Sequence, residues 1–229
     1  MYARDTNGIT IVQNKISENF INELKSIVLE FNDFMEIKNN NINYINLYQK
    51  NLNLKKHDYL LDYIKEIDII KESLETCNIL YYGFIISQPR NKNQYFHIDY
   101  KGKTITYFIP LVHITNMNGT EYLYFYDSSN YKKYFNVFLE ITKKFITREE
   151  VITYLKKYDL NHMKDYDFRF VNCDAYSVIM LPHDVFHRGK TNETDEYRVM
   201  FQITLELETI DFIQNEQFIS IAEDDDNMK

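Results

Sequence analysis

Between residues 17 and 36 (SENFINELKSIVLEFNDFME) the apolar positions Phe20, Ile21, Leu24, Ile27, Val28, Phe31 and Phe34 recur at spacings of three and four, the period of one helix face. Ser17 precedes this run with a side chain able to cap the first turn, so a packing helix is predicted. A second amphipathic run covers about residues 57–75 through Leu60, Leu61, Ile64, Ile67 and Leu74. From about residue 79 the texture changes to short β-branched and aromatic runs: NILYYGFIIS, KTITYFIPLV, TEYLYFY, FRFVN, AYSVIML and YRVMFQITLEL. These predict strands. A third helix, REEVITYLKKY at 148–158, interrupts them inside a long connection from about Asp127 to Asp167. Two leading helices followed by strands with turn residues between them predict an α+β fold with a mainly β core, an antiparallel sandwich or barrel buttressed by helices.

No repeat and no Pro/Gly/Ser linker divides the 229 residues, so one domain is expected over 1–229, with helical support over about 1–78, a core over about 79–208 and a C-terminal tail over 209–229. The apolar fraction of 45 % is enough to offset the ordering entropy of a folded core. A net charge of −8 repels polyanions, which argues against a nucleic-acid partner. Cys77 and Cys173 form neither a CxxC pair nor a finger spacing, and a reducing compartment is the default. The N-terminal residues lack a signal-like apolar run and no stretch reaches the roughly 18 apolar residues of a membrane span, so a soluble, cytoplasmic protein without a membrane partner is expected. With 20 Tyr but only five Gly, three Pro and six Arg, the scarce residue types carry more information than the abundant ones.

Of the six histidines, His97 stands in YFHIDY two residues before Asp99. In an extended strand, residues i and i+2 share a face, so imidazole and carboxylate would converge. Such a pair alone is weak. It gains weight from LPHDVFHRGKTN, where His187 ends another strand-like run. Two imidazoles and one carboxylate on one face of a metal form the ligand set of non-haem Fe(II). Asn192 and Thr194 follow in a polar turn, and Arg198, eleven residues after His187, opens YRVMFQITLEL. A chain that turns back over that distance brings a guanidinium near the same cavity, where its fork of donors suits a carboxylate.

Taken together, His97 and Asp99, the turn LVHITNMNG ending in Asn118 and Gly119, and His187 with Asn192, Thr194 and Arg198 at +5, +7 and +11 resemble the Fe(II)/2-oxoglutarate-dependent oxygenases, and within them the phytanoyl-coenzyme A dioxygenase-like branch. The resemblance runs from about Gly83 to Leu207. It implies a double-stranded β-helix, or jelly-roll, with Fe(II) held by His97, Asp99 and His187 and the distal carboxylate of 2-oxoglutarate held by Arg198. Thr106 and Phe108, which share a face of TITYFIP, are expected to line the cosubstrate pocket. The 127–167 connection is where such folds build a lid, but YDSSNYK departs from the substrate-facing turn of the branch. The implied activity is hydroxylation of a C–H bond of a small molecule with consumption of O2 and release of succinate and CO2, with ascorbate as a stimulant. Asp99 fills a place that halogenating relatives leave without a carboxylate.

Alternatives of other classes are a catalytically silent jelly-roll that binds a small molecule or partner protein, a protein side-chain hydroxylase, and a cupin-type metalloenzyme that uses no 2-oxoglutarate. Asn118 and Asn192 also suit turns, and His183 suits a structural place beside His187. The residues name no substrate and specify no oligomeric state.

Overall fold

Along one strand of the molecule, alternate side chains serve two different interiors. On Thr104–Pro110, Ile105, Tyr107 and Ile109 join a core shared with helices, whereas Phe108 joins a second core on the opposite side. That alternation organises the fold. A computed structural model of the chain describes residues 8–13, 16–30, 42–50, 54–55, 57–99, 103–126, 128–158 and 166–207. In chain order the elements are β1 (Thr10–Val12), α1 (Glu18–Glu30), β2 (Ile42–Gln49), β3 (Leu54–Lys55), α2 (Leu60–Ile64), α3 (Asp68–Leu74), β4 (Asn78–Ser87), β5 (Thr104–Pro110), β6 (Thr120–Phe125), α4 (Ser128–Ile141), α5 (Arg148–Leu155), β7 (Tyr166–Phe170), β8 (Val178–Pro182), β9 (His187–Gly189) and β10 (Arg198–Glu206).

The strands form two antiparallel sheets. The larger has the order β1-β8-β5-β10-β4-β2-β3 and the smaller β7-β6-β9, extended by a bridge between His97 and His187. The α+β, mainly β jelly-roll architecture is as expected. The six strands read from the sequence are all present, and Asn78–Ser87 coincides with its predicted run. Ser17 caps α1 as predicted, its Oγ accepting from the Phe20 backbone N–H.

On the outer face of the large sheet, Phe20, Leu24 and Ile27 of α1 and Leu60, Ile64 and Ile70 of α2 and α3 pack on Tyr82, Phe84, Phe201 and Ile203. Each such side chain gains about 1.5–3 kcal/mol from burial, so this face alone fixes the helices on the sheet. The outer face of the small sheet carries a separate core, in which Tyr134, Phe138 and Ile141 of α4 and Val151 and Leu155 of α5 meet Phe96, Leu123, Phe125 and Phe186. A Thr147–Glu150 capping box starts α5. The third core lies between the sheets.

Several elements differ from the sequence reading. The expected helical stretch over 1–78 also contains three strands, among them β2, which pairs with β4 in the large sheet. Asn is a poor strand former, and the register shift between Asn46 and Tyr48 breaks the alternation by which NINYINLYQ would be recognised. The run over 57–75 is two short helices rather than one. α4 precedes the predicted third helix inside the 127–167 connection, and the described helices of that connection pack on the outside of the small sheet. Residues 31–36 of the first predicted helix and the tail 209–229 lie outside the described residues. Among the described residues no helix is long and apolar enough to cross a membrane.

Candidate active site

His97 and His187 face each other across a two-way backbone bridge, each N–H donating to the other's carbonyl at 2.8 and 2.9 Å. Their neighbours Phe96, Ile98 and Phe186 point into the outer core, so alternation turns both imidazoles to the space between the sheets. The rings lie 4.5 Å apart between centroids. Asp99 completes the group: its Oδ1 is 3.3 Å from His97 Nε2 and 3.6 Å from His187 Nε2. One ligand atom from each of the three residues lies within 4.8 Å of the others.

Backbone carbonyls preset both rings. His97 Nδ1 donates to the Tyr95 carbonyl at 2.7 Å, and His187 Nδ1 to the Val185 carbonyl at 2.9 Å. With the Nδ1–H groups so committed, both Nε2 lone pairs turn toward a carboxylate. Burial, helped by the neighbouring His97 and opposed by Asp99, holds His187 below the ordinary imidazole range. Burial works to raise the Asp99 carboxyl, but His187 and the His97 hydrogen bond outweigh it, and the group stays below the usual carboxylate range. Three electron-pair donors converging in this way repel one another unless a cation joins them. The donor set therefore fits a divalent metal of the first transition row, with two imidazoles and one carboxylate.

Arg198 lies deeper, at the start of β10, and is 2 % exposed. Its Nε and Nη2 donate to Ser87 Oγ at 3.1 and 2.6 Å, and Nη1 donates to the Asn118 carbonyl at 2.6 Å. Among the described residues no carboxylate lies within ion-pair range of it. Burial pulls the guanidinium down to about 10, with Tyr44 opposing, so it keeps its charge at neutral pH. A buried cation without an anion is costly, and such a position suits an anionic ligand.

The turn residues build this platform. Asn118 Oδ1 accepts from the Thr115 N–H at 2.8 Å, turning its own carbonyl onto Arg198. Asn192 Nδ2 donates to the Ser87 carbonyl, and its Oδ1 accepts from the Thr194 hydroxyl. At Gly119 a Cβ would lie 2.5 Å from the Thr115 carbonyl oxygen, so only glycine fits this turn.

Between His187 and Arg198 stands Gly189, two residues along β9 and on the same face as His187. A Cβ there would come within 2.4 Å of Gln94 Oε1 and 3.3 Å of Arg198 Nη2. Gln94 is held by the Gly189 N–H, and its Nε2 donates to Tyr44 Oη at 3.2 Å. The absence of a side chain at 189 lets Gln94 close onto the β9 backbone, with the Arg198 guanidinium beside it.

Thr106 and Phe108 do share the inward face: Thr106 Oγ1 lies 3.1 Å from Thr204 Oγ1, and Phe108 packs with Ile179 and Met200. The sequence reading missed Tyr44, Ser87, Gln94 and Gly189. Of these, only Gly189 carried a signal, as a scarce glycine beside the distal histidine. Ser87 meets Arg198 through strand register, and Tyr44 lies on the unpredicted β2.

No protein-family model matches the chain, and no curated protein matches it by sequence. Solved structures do. The non-haem α-ketoglutarate-dependent carbocyclase SnoK from nogalamycin biosynthesis superposes with a TM-score of 0.62 at 14 % identity, over 93 % of this chain and 86 % of that one. HygX from Streptomyces hygroscopicus, with nickel and 2-oxoglutarate bound, gives 0.59 at 9 % identity over 91 % and 86 % of the two chains. Apo EctD from S. alaskensis gives 0.58 at 12 % over 90 % and 77 %. The chain has the fold of these proteins. At such identities the likeness is one of fold, and the case for chemistry rests on the side chains above.

Proposed function

We propose that the protein is an Fe(II)- and 2-oxoglutarate-dependent oxygenase that hydroxylates a C–H bond of a small-molecule substrate. The observation that carries this reading is the pairing of a His-Asp-His donor set with a buried guanidinium, beside Gly189 two residues along β9 from His187, that has no carboxylate partner among the described residues. The same His97, Asp99, His187 and Arg198 carry the sequence resemblance, and the fold is shared with an α-ketoglutarate-dependent carbocyclase and with HygX, which holds nickel and 2-oxoglutarate. The phytanoyl-coenzyme A dioxygenase-like branch rests on the sequence offsets.

When bound, Fe(II) with 2-oxoglutarate supplies the oxidising power, using O2 and releasing succinate and CO2. The chain supplies the positioning. His97, Asp99 and His187 would be the protein ligands of the metal. Arg198 takes the distal carboxylate by charge-assisted hydrogen bonds, with Ser87 and the Asn118 carbonyl fixing the guanidinium so that the cosubstrate's reactive end is presented to the metal. Thr106 and Phe108 wall the cosubstrate pocket, and Gln94, braced by Gly189 and Tyr44, closes its side.

The test is succinate formation from 2-oxoglutarate with Fe(II), O2 and ascorbate over a panel of metabolites. Metal-dependent succinate production that disappears in His187→Ala supports the proposal. Absence of both Fe(II) binding and succinate contradicts it.

A further inference from the structure

The strand register sets four side chains in one row across the small sheet. His97 pairs with His187, His187 with Tyr122, and Tyr122 with Arg169. The flanking residues Leu123, Phe168 and Phe186 belong to the outer core, so alternation turns the whole row inward. Arg169 thus lies two interstrand spacings beyond His187, roughly 10 Å, on the metal ligands' own face.

Its surroundings differ from those of the other arginines in the described residues. Arg90 pairs with Asp195, while Arg148 and Arg188 share Glu121. Among the described residues Arg169 has only Asp167 of its own strand as a carboxylate partner, at 4.0 Å, with both side chains more than a third exposed. Such a pair contributes little. What holds Arg169 is aromatic: its Cζ sits 3.5 Å over the Tyr124 ring and 5.5 Å from that of Tyr126, whose hydroxyl also bonds to it. Tyr124 in turn packs on the core between the sheets. Stacking fixes the plane of the guanidinium and leaves its donor edge available for a planar anion.

We propose that Arg169 is the specificity-determining residue of the substrate pocket, and that the substrate carries a carboxylate or phosphate that reaches past the metal ligands to the guanidinium over Tyr124. This rests on the oxygenase reading, because it takes the His97–Asp99–His187 face as the reacting end. A carboxylate and a phosphate monoester present the same anionic oxygens to the fork, and matched probes separate them.

The experiment titrates protein loaded with Mn(II) and 2-oxoglutarate, by calorimetry, with probes differing only in the anion: phenylacetate against phenylacetamide, hippurate against its amide, and glucose 6-phosphate against glucose. The expected result is that at least one anion binds about tenfold or more tightly than its neutral partner. Arg169→Gln abolishes that preference and Arg169→Lys keeps part of it. Loading with Mn(II) and 2-oxoglutarate reports separately on the oxygenase reading and shows that each variant is folded. No preference for any anion in the wild type, or a preference that persists in a loaded Arg169→Gln protein, overturns the proposal. Failure of the wild type to load contradicts the oxygenase reading and, with it, the inference built on it.

Discussion

Two buried arginines, one in the short strand β9 and one at the start of β10, are held in opposite ways. Arg188, on the outer face of the small sheet, forks onto Glu121 at 2.6 and 2.7 Å, with Arg148 on the same carboxylate and the Phe96 ring 4.5 Å from its Cζ. Glu121 is fully buried. Arg198, inside the barrel, is held by a hydroxyl and carbonyls and meets no carboxylate among the described residues. The first arrangement is a closed network that joins β6, β9 and the start of α5 beside His187. The second leaves a positive charge for something that arrives. Burial of an arginine therefore says little about its role until its counter-charge is found.

Variants along this short stretch separate the roles, with the largest effect at His187, just before Arg188. His187→Ala removes a ligand, and turnover is expected to fall by more than about a hundredfold, since even changes to the groups supporting a ligand cost 10–100-fold. Metal binding read by equilibrium dialysis checks this. Arg188→Met breaks the outer network and leaves Glu121 short of a partner, which should cost about 3 kcal/mol. The thermal midpoint should then drop by roughly 6–12 °C, with the KM for 2-oxoglutarate unchanged. Arg198→Met reverses this pattern: the KM rises about a hundredfold, equivalent to about 2.7 kcal/mol, while stability changes by less than about 1 kcal/mol because an unpaired buried charge has been removed. Equal loss of stability in the two arginine variants would erase the distinction. Gly189→Ala is milder. Its methyl presses on Gln94 Oε1, and the KM should rise about tenfold, with partial recovery when Gln94 is also shortened to Ala.

What could be read in the chain follows from how local each signal is. Strands of the barrel wall announced themselves because β-branched and aromatic residues line both of their faces: all of Thr104–Pro110 and Arg198–Glu206 is buried. The metal donors and Arg198 were legible through the His-x-Asp pair and the offsets after His187 that carry the family resemblance, although no strand runs through His97 and Asp99: His97 makes an isolated bridge to His187 and Asp99 lies in a bend. β2 was not legible, since its Asn-rich alternation is interrupted by a bulge, and with it Tyr44 was lost. α4 was missed because SSNYKKYFNVFLEI is rich in weak helix formers, and its buried Tyr134, Phe138 and Ile141 were decided by the sheet they cover. Ser87 and Gln94 reach the site through pairing between distant segments, 111 residues apart for Ser87 and Arg198, which no local pattern encodes.

The central claim is that the metal donors and Arg198 form one site bridged by 2-oxoglutarate. The direct measurement is anaerobic titration of the metal-free protein with Fe(II) and then 2-oxoglutarate, for the wild type and Arg198→Met, following the visible charge-transfer absorption of an iron-bound 2-oxo acid. One equivalent of Fe(II) per chain, appearance of the band in the wild type, and about a hundredfold weaker 2-oxoglutarate binding in a variant that takes up iron equally well are the results predicted. Iron uptake without the band, or the same 2-oxoglutarate affinity in both proteins, would contradict the account.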